Sequence, residues 1–506
     1  MKIIVRDKLK GKTPMLCLFI FEGSENIPKL RGITAKNARI VQSALDMRGK
    51  FGEIALVPTP EKPYSRILLA GLGEKRKLDA DSIRFVSGKI AQKARDLRLK
   101  EFTIAPPPDS IIDTDVAVSQ IVEGSKMSLY RFEHFKSTKM NREPNIVILA
   151  QNPNEISKTV TATEIVSEAV LYTRNIANMP PNACTPAVLA RIAKQLAKKN
   201  ELKCTVISKA QLATSGFGGI TAVGQGSKNE PNLIILEYHG DSKNVKPTVL
   251  VGKAVTFDTG GVSLKSSDAM TEMKFDKCGG CTVLGIMKAA SELNLPVNLV
   301  GIIPAVENMP GAESYRPDDI ITLYNGKTAE ILNTDAEGRL ILADALSYGV
   351  EQYDPLKIID LATLTGACVV ALGNNIAGMV SNNDTFAQDF SNSSARTAEK
   401  VWRLPLDEDY MDMIKSDVAD MKNMGIGKAA GTITAAAFLK NAIEDTPWVH
   451  LDIAGVAWTQ KATKEKPYNP RGATGFGVRL VLDYLLSTAN NRYSYLSINI
   501  PPSLNS

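Results

Sequence analysis

Histidine is scarce in this chain: the 506 residues include only three, at positions 134, 239 and 450. None of the three forms a His-Glu-x-x-His motif or a comparable pair. Because the common catalytic zinc sites take histidine ligands at such spacing, a histidine-ligated zinc site is excluded. His450 stands directly before the apolar run Leu451 to Ala454, and we predict a structural role for it.

The six cysteines provide no disulfide framework, since they are scattered at positions 17, 184, 204, 278, 281 and 368. This pattern indicates a reducing compartment, and we expect a cytoplasmic protein. Cys278 and Cys281 have the Cys-x-x-Cys spacing of redox motifs. They fall in a predicted helix, however, and we favour two small packed thiols over a redox pair.

Long hydrophobic runs are also absent. No apolar stretch approaches the roughly 20 residues that span a bilayer, so we expect no membrane segment. The N-terminus imitates a signal peptide, with basic residues from Lys2 to Lys12 and an apolar run from Met15 to Phe21. That run is short, and Glu22 ends it without a small-residue cleavage site. A β-strand is the better interpretation.

The composition is that of a globular protein, with 44% hydrophobic and 23% charged residues. A chain of 506 residues is too long for one ordinary core, and we expect two domains. In residues 1–155, short apolar strands alternate with amphipathic helices, which predicts a small α/β accessory domain. Residues 156–180 are a predicted linker helix that ends at Pro180 and Pro181. Residues 181–506 predict a larger, doubly wound α/β domain with a mostly parallel central sheet, and 487–506 a poorly ordered tail.

Charged side chains crowd into the octapeptide Asn333-Thr-Asp-Ala-Glu-Gly-Arg-Leu340, between a probable strand and a probable helix. Asp335, Glu337 and Arg339 occupy alternating positions in it. Two carboxylates held this close are costly unless a cation lies between them, and a divalent metal ion serves best. Taken alone, such a run is more often a solvated turn with a weak surface ion pair than a set of metal ligands.

Four more charged residues lie upstream of the octapeptide. Val249 to Val251 predicts a buried strand, the Gly260-Gly261 pair a turn, and the apolar spacing after Asp276 a helix. These predictions place four charged side chains on loops beyond a strand or at a helix start, namely Lys253, Asp258, Lys265 and Asp276. Open α/β sheets bind their ligands at this edge, although a carboxylate at a helix start could also act only as a cap.

Five further blocks accompany these two segments: Gly224-Gln-Gly-Ser227, Asp360-Leu-Ala-Thr-Leu-Thr-Gly-Ala367, Gly431 to Leu439, His450-Leu-Asp-Ile-Ala-Gly455 and Thr474-Gly-Phe-Gly477. With these motifs, in this order, most of the chain resembles the M17 leucyl aminopeptidase family, the cytosol aminopeptidases. A segment with Ser416, Asp417, Asp420 and Asn423 is similar to one beside the active-site mouth of that family. The resemblance implies that residues 181–506 form a metallopeptidase catalytic domain.

The resemblance also implies a site for two divalent metal ions, Mn²⁺ or Zn²⁺, with ligands Lys253, Asp258, Asp276, Asp335 and Glu337. It implies that a metal-bridged hydroxide is the nucleophile. Lys265 would stabilise the oxyanion, and Arg339 would hold a bicarbonate ion as general base. A lysine ligates a metal only when deprotonated, because an ammonium group has no lone pair. Apart from the resemblance, Lys253 would be only an ion-pair partner.

The implied reaction is hydrolysis of the N-terminal peptide bond of peptides, with a preference for leucine-like first residues. Seven residues match positions that line the substrate pocket in relatives: Met273, Asn333, Thr363, Leu364, Gly366, Ala454 and Ala457. Such residues could equally be ordinary packing residues. The family assembles as hexamers, so the resemblance implies a homohexamer here.

Charge is unevenly divided along the chain. Residues 1–160 contain 28 lysines and arginines against 18 acidic residues, a net charge of +10, whereas the remainder has a net charge of −4. A basic accessory domain could bind nucleic acid, as in some relatives. The basic residues are dispersed and no recognition motif is visible, so DNA binding is possible but not favoured.

A dinuclear carboxylate site could also serve a phosphoesterase. Enzymes of that class usually have histidine ligands and a phosphate clamp, and the sequence contains neither. A binding protein on a retired peptidase scaffold would be expected to have lost a ligand, whereas every implied ligand is present. The aminopeptidase is therefore the favoured prediction.

Overall fold

The computed structural model describes residues 1–9, 12–23, 48–59, 64–138, 143–425, 427 and 429–488. Within these ranges the chain forms a six-stranded sheet, a nine-stranded sheet and a small three-stranded sheet. None of the helices in the described ranges is both long enough and apolar enough to cross a lipid bilayer.

The six-stranded sheet has the spatial order β1-β6-β5-β2-β4-β3. Its strands are β1 (Ile3–Arg6), β2 (Leu16–Ile20), β3 (Ile54–Pro58), β4 (Arg66–Gly71), β5 (Glu101–Ala105) and β6 (Asn145–Leu149). Neighbouring strands are parallel except for β3 and β4. The apolar run near the N-terminus is the fully buried strand β2, as predicted.

Two helices cover this sheet, α1 (Ala80–Asp96) and α2 (Thr114–Leu129). In α1, Ile83, Val86, Ile90 and Ala94 recur at helical spacing, and all four are fully buried against the sheet. Asp79 caps this helix by accepting a hydrogen bond from the Ser82 N–H at 2.7 Å. The amphipathic pattern in the sequence therefore predicted this packing.

A 25-residue helix, α3 (Pro153–Ala177), follows the first sheet and ends just before the two prolines. Its buried Arg174 donates hydrogen bonds to three carbonyl oxygens: Met127 at 3.1 Å, Tyr468 at 2.8 Å and Thr474 at 2.9 Å. One guanidinium group therefore joins α2, α3 and the segment that precedes the last helix.

The nine-stranded sheet has the order β16-β15-β18-β14-β9-β11-β8-β7, with β10 paired to β11. Its strands are β7 (Lys203–Ser208), β8 (Asn232–His239), β9 (Thr248–Gly252), β10 (Ala254–Asp258), β11 (Asn298–Asn308), β14 (Lys357–Ala362), β15 (Ala377–Ser381), β16 (Val401–Arg403) and β18 (Trp448–Asp452). Most of the strand pairs are parallel; the antiparallel ones are β7–β8, β8–β11 and β15–β18. The small sheet consists of β12 (Ile320–Thr322), β13 (Thr328–Glu330) and β17 (Met421–Lys422).

Helices pack on both faces of the nine-stranded sheet. The helices of this part of the chain are α4 (Pro186–Asn200), α5 (Lys209–Thr214), α6 (Gly218–Gly224), α7 (Ser267–Met270), α8 (Cys278–Glu292), α9 (Glu337–Tyr353), α10 (Gly366–Leu372), α11 (Asp384–Thr397), α12 (Glu408–Asp412), α13 (Gly431–Lys440) and α14 (Val478–Thr488). Leu250 contributes to one hydrophobic core, while Val249 and Val251 contribute to the other. Because successive strand side chains point to opposite faces, this alternation requires two covered faces. The predicted doubly wound, mostly parallel sheet is confirmed.

The carboxyl ends of neighbouring strands meet at one edge of this sheet. β9 and β14 are parallel with Gly252 opposite Leu361, and β10 and β11 end with Asp258 opposite Asn308. The residues that follow these strands are therefore brought together, as the sequence predicted.

The predicted tail begins two residues too early, because α14 continues through Thr488. Residues 489–506, the rest of that predicted tail, lie outside the described residues.

Candidate active site

The seven residues predicted as ligands or catalytic groups lie at the ends of strands, at the starts of helices or on a loop between them. Lys253 follows β9, Asp258 ends β10, and Lys265 is in the loop beyond it. The turn of 3-10 helix Met273–Lys277 carries Asp276 and leads directly into α8. Asp335 precedes α9, whose first turn contains Glu337 and Arg339.

Lys253 lies at the centre of one half of the cluster and is only 2% exposed. Its Nζ is 2.9 Å from Asp276 Oδ1 and 2.8 Å from Glu337 Oε1. It also donates a hydrogen bond to the carbonyl oxygen of Thr363 at 2.9 Å. Although burial disfavours the ammonium form, the carboxylates of Asp276 and Glu337 raise the pKa of this lysine above its ordinary value.

Lys265 holds the other half of the cluster together. Its Nζ lies 2.8 Å from Asp258 Oδ2 and also contacts Asp335 Oδ1. Three carboxylate oxygens, one each from Asp258, Asp335 and Glu337, lie within 4.8 Å of one another. The structure therefore gathers four carboxylates around two ammonium groups.

The cluster contains more carboxyl groups than lysines, and the pKa values of two of the carboxyl groups are raised. Burial raises the pKa of Glu337, and the charge of Asp258 raises it further. Burial also raises the pKa of Asp276 well above its ordinary value, against the opposing charge of Lys253. Asp276 Oδ2 and Glu337 Oε2 are buried without a hydrogen-bond partner among the described residues. Close, buried oxygen atoms without donors fit divalent cations.

Neutral side chains fix the orientation of these carboxylates. The Asn308 amide donates to Asp258 Oδ1 at 2.9 Å and to the Thr334 carbonyl at 3.1 Å. The Thr363 hydroxyl donates to Asp276 Oδ1 at 2.7 Å. Such partners orient ligands and tune their affinity. Asn308 was missed from the sequence, where its one signal is its position at the end of the apolar strand β11.

A buried lysine anchors the turn that carries Asp276. Nothing in the sequence indicated this role. Lys277 is fully buried, and its Nζ donates to the carbonyl oxygens of Ala177 and Met179 at 3.0 Å each, as well as to Lys274. Ala177 is the last residue of α3, whose terminal carbonyls have no partner within the helix. Lys277 thus ties the Asp276 turn to the end of that helix.

Arg339 is buried beside the cluster. Its Nη1 donates to the Asn423 carbonyl at 2.8 Å, while Nε has no hydrogen-bond partner in the described part of the chain. Burial lowers the pKa of Arg339 to about 10, with partial compensation from Glu337 and Asp452. The side chain is still a cation at neutral pH and has a free donor, a combination that suits a small anion.

The seven predicted pocket residues are placed in different environments. Thr363 is hydrogen-bonded to the candidate ligand Asp276. Leu364 packs against Gly338 beside Lys253, since a Cβ atom at Gly338 would lie within 3.0 Å of both side chains. Ala454 and Ala457 are buried after β18, Gly366 is exposed at the start of α10, and Met273 is half-buried. Asn333 accepts a hydrogen bond from the Asp335 N–H at 2.8 Å, which makes it part of the ligand-bearing turn.

Trp458 links the segment after β18 to the Asp276 turn. Its ring stacks on Phe275, with centroids 5.4 Å apart, and its Nε1 donates to Glu272 at 3.0 Å. Glu272 has a φ of +74°, in the left-handed region that residues other than glycine rarely adopt. Met273 follows Glu272 in the chain and Ala457 precedes Trp458, so these contacts bring the segments of the two predicted pocket residues together.

The remaining histidine and cysteine predictions can be assessed from burial. His450 Nδ1 lies 2.6 Å from Asp360 Oδ1, and both residues are fully buried. Trp448 Nε1 donates a hydrogen bond to the other carboxylate oxygen of Asp360. Its Nε2 has no partner among the described residues, so the structural histidine is satisfied on one side. Cys278 and Cys281 are buried free thiols, and burial raises the pKa of Cys278 to about 12. Thiols of this kind are unreactive at neutral pH.

A surface cleft of about 600 Å³ lies elsewhere, between α3, α4 and residues 131–134. It is lined by apolar residues of the two helices together with Lys199 and Lys288. None of its lining residues belongs to the carboxylate cluster.

Two family models match this chain. The model described as "Cytosol aminopeptidase family, catalytic domain" matches residues 171–482, and "Cytosol aminopeptidase family, N-terminal domain" matches residues 18–139.

Relatives and solved structures agree with these matches. The "Probable cytosol aminopeptidase" of Cenarchaeum symbiosum is 57% identical, covering 96% of this chain and 98% of its own length. That of Syntrophotalea carbinolica is 44% identical, with 96% and 99% covered. The solved structure "Bottromycin maturation enzyme BotP in complex with Mn" has a TM-score of 0.84 at 28% identity, covering 94% of this chain and all of its own. With both family models matched and near-complete coverage by its relatives, this chain belongs to the cytosol aminopeptidase (M17) family of metal-dependent exopeptidases.

Proposed function

We propose that this protein removes N-terminal residues from peptides with the help of two divalent metal ions. The ligands would be Lys253, Asp258, Asp276, Asp335 and Glu337. The observation that carries this proposal is the excess of buried carboxylates over lysines, with oxygens of Asp276 and Glu337 left without donors.

Manganese is the favoured metal, because the structurally similar BotP has been solved in complex with Mn. Zn²⁺ remains an alternative, since a site with four carboxylates and one amine accepts several divalent ions. When bound, the metal ions would polarise the scissile carbonyl and activate water at neutral pH. Lys253 can join the ligands only as a neutral amine.

Lys265 is proposed to stabilise negative charge on the substrate. Burial opposes its ammonium form, but Asp258, Glu337 and Asp335 raise its pKa above the ordinary value, so the side chain stays protonated. It is also partly accessible, with 15% of its side chain exposed, whereas Lys253 is enclosed. A fixed cation beside the substrate carbonyl favours the charge that develops during hydrolysis.

Arg339 is proposed to hold the general base, a bicarbonate ion, rather than to transfer protons itself. Its unpaired Nε and its position in the first turn of α9 support binding of a small anion beside the cluster. Because Nε has no hydrogen-bond acceptor among the described residues, this donor is available to the anion.

A preference for leucine-like N-terminal residues is proposed from the apolar groups near the cluster. Leu364 lies close to Gly338 and Lys253, and Met273 and Ala457 lie on segments joined by the Trp458 contacts. Apolar walls favour apolar side chains through burial. The homohexamer, the cytoplasmic location and nucleic-acid binding stay predictions.

An assay of two substrate classes tests the proposed function. Metal-free protein is supplied with Mn²⁺ or Zn²⁺, with and without a chelator, and given either a leucyl chromogenic amide or a phosphate ester. We expect amide hydrolysis that depends on added metal and no phosphate release. Phosphate release without amide cleavage would overturn the proposal in favour of a phosphoesterase.

Lys265→Ala tests the assigned role of this lysine. We expect the variant to retain bound metal but to lose turnover by about 10²- to 10³-fold, the usual loss when a group that stabilises an oxyanion is removed. Metal content and kcat on the leucyl amide are the two measurements. Full activity in this variant would remove the assigned role.

A further inference from the structure

Asn423 is a fully buried side chain outside the set of predicted ligands, between β17 and α13. It lies on the segment whose short strand β17 pairs with β13. Its own backbone N–H donates to the Glu330 carbonyl at 2.9 Å. The end of β13, which leads into the ligand-bearing octapeptide, is therefore bonded directly to this residue.

The side-chain amide of Asn423 forms hydrogen bonds with the backbone at the start of the octapeptide through both its oxygen and its nitrogen. Its Oδ1 accepts hydrogen bonds from the backbone N–H groups of Leu332 at 2.8 Å and Asn333 at 3.3 Å. Its Nδ2 donates to the Asn333 carbonyl at 2.7 Å. An asparagine side chain supplies an acceptor and a donor in one planar group, which suits it to this double contact with the backbone.

Asn333 passes this constraint on to a candidate ligand. Its Oδ1 accepts from the Asp335 N–H at 2.8 Å, and its carbonyl accepts from the Ala336 N–H at 3.2 Å. The position of Asp335 therefore depends on a turn that the Asn423 side chain holds in place.

The backbone of Asn423 contacts the other functional group of the octapeptide. Its carbonyl oxygen accepts the hydrogen bond from Arg339 Nη1 at 2.8 Å. One residue thus holds the ligand turn through its side chain and Arg339 through its main chain. The two contacts can be separated experimentally, because substitution of the side chain leaves the carbonyl in place.

We propose that Asn423 is a positioning residue for metal binding, which fixes Asp335 relative to Arg339 by holding the turn at Asn333. The proposal rests on the ligand set of the proposed function. Side chains that orient metal ligands typically contribute 10- to 100-fold to metal affinity or activity, and we expect Asn423 to act mainly on affinity.

Asn423→Ala tests this proposal, with Asn298→Ala as a matched control. Asn298 is a buried asparagine on β11 that bonds three backbone groups, those of Ser242, Val245 and Asp241, away from the site. Calorimetric titration of metal-free protein with Mn²⁺ should show Kd raised about 10- to 100-fold in Asn423→Ala. It should show no such change in Asn298→Ala, although thermal unfolding should show both variants destabilised. Equal Mn²⁺ affinity in Asn423→Ala and wild type would overturn the proposal.

A second variant keeps the test decisive where Asn423→Ala fails to fold. Asn333→Ala removes the acceptor for the Asp335 N–H while keeping the main chain that Asn423 contacts. We expect a similar loss of Mn²⁺ affinity in Asn333→Ala alone. Where Asn423→Ala folds, the double variant should show a smaller than additive loss, because both side chains act through one turn. Unchanged Mn²⁺ affinity in Asn333→Ala, or fully additive losses of affinity in the double variant, would contradict the proposal that Asn423 acts on Asp335 through Asn333.

The kinetic pattern separates positioning from a general structural defect. Because the Asn423 carbonyl still holds Arg339 in the alanine variant, turnover at saturating Mn²⁺ should fall less than Mn²⁺ affinity. A fall in kcat as large as the change in Kd would overturn this assignment. Wild-type protein that binds Mn²⁺ without cleaving leucyl amides would contradict the proposed function but leave the Asn423 result valid.

Discussion

Two buried ionic clusters in this protein differ in how completely their charges are paired. One joins the N-terminal helices to the last helix: Arg84 donates to Glu123 at 2.8 Å and to Asp81 at 2.6 Å, and Arg479 donates to Glu123 at 3.3 Å and to Glu399 at 3.4 Å. The other is the carboxylate cluster at the edge of the large sheet. Most side chains of both clusters are buried, and the clusters differ in how their charges are paired.

In the first cluster every charge is paired. The second carboxylate oxygen of Glu399 accepts the N–H groups of Gly477 and Leu480. Although burial opposes it, the charges of Arg84 and Lys466 lower the pKa of Asp81 to about 2. No side-chain nitrogen or oxygen of Asp81, Arg84, Glu123, Glu399 or Arg479 is buried without a hydrogen-bond partner in the described structure.

In the second cluster the carboxylates exceed the lysines, and burial raises the pKa values of Asp276 and Glu337. A buried carboxylate without compensation is costly, and the cost falls when a cation binds. Saturated pairing serves to join two parts of a fold, whereas an excess of charge prepares a site for a ligand of opposite sign. The comparison therefore distinguishes a structural ion network from a metal site.

The largest expected effect concerns Asp276→Asn. It removes one candidate ligand while the amide oxygen can still accept from Thr363. We expect kcat/KM on a leucyl amide to fall by about 10³-fold or more, since metal stabilisation of the transition state is worth several kcal/mol. Thermal unfolding of the metal-free variant should occur at or above the wild-type temperature, because a carboxylate disfavoured by burial has been removed. Near-normal activity would contradict the ligand assignment.

Glu123→Gln in the paired cluster should do the opposite, lowering stability and leaving the chemistry of the folded protein intact. Arg84 and Arg479 would lose their shared carboxylate. We expect a loss of about 3–5 kcal/mol in the free energy of unfolding, measured with urea on metal-free protein. The control is Lys415→Ala, which breaks an exposed pair with Asp412 and should have no measurable effect. Equal stabilities of the two variants would remove the distinction between the clusters.

Asp344 extends the comparison to a buried carboxylate with N–H donors and no cation. It accepts from the N–H groups of Ile220 and Tyr324 at 2.9 Å each, and burial raises its pKa from 3.8 to about 7. Its contribution to stability is therefore complete below pH 4 and is lost as the pH rises through about 7.

Between pH 5 and pH 7 the wild type should lose on the order of 2 kcal/mol of unfolding free energy relative to Asp344→Asn, whose amide does not titrate in this range. Urea unfolding of both proteins at several pH values measures the difference. A difference that does not vary with pH would show that the backbone donors outweigh burial and keep Asp344 ionised.

The sequence predicted those features whose signal is local. Val249 to Val251 and the spacing in α1 are contiguous or periodic, so the strand and the helix could be read directly. The run Asp335-x-Glu337-x-Arg339 drew attention to the site, but the roles of its residues came only from the family resemblance. The two family models and the mostly parallel sheets agree with the predicted fold class.

The residues that support the site could not be read in this way. Asn423 contacts Arg339 across 84 positions, and Lys277 reaches Ala177 across 100. Neither contact leaves a pattern in the neighbouring sequence, because it is created by the packing of distant elements. Asn333 illustrates the same limit, since its match to a pocket position gave no indication that its side chain holds the Asp335 N–H.

A count of bound ions, coupled to a measurement of activity, tests whether the carboxylate cluster is a working dinuclear metal site. Metal-free protein is titrated with Mn²⁺, and both the bound ions per chain and the hydrolysis of a leucyl amide are followed. We expect two bound ions per chain, activity that rises with occupancy, and loss of activity on chelation. Hydrolysis that proceeds with no bound ion, or a chain that binds no Mn²⁺ or Zn²⁺, would contradict this expectation.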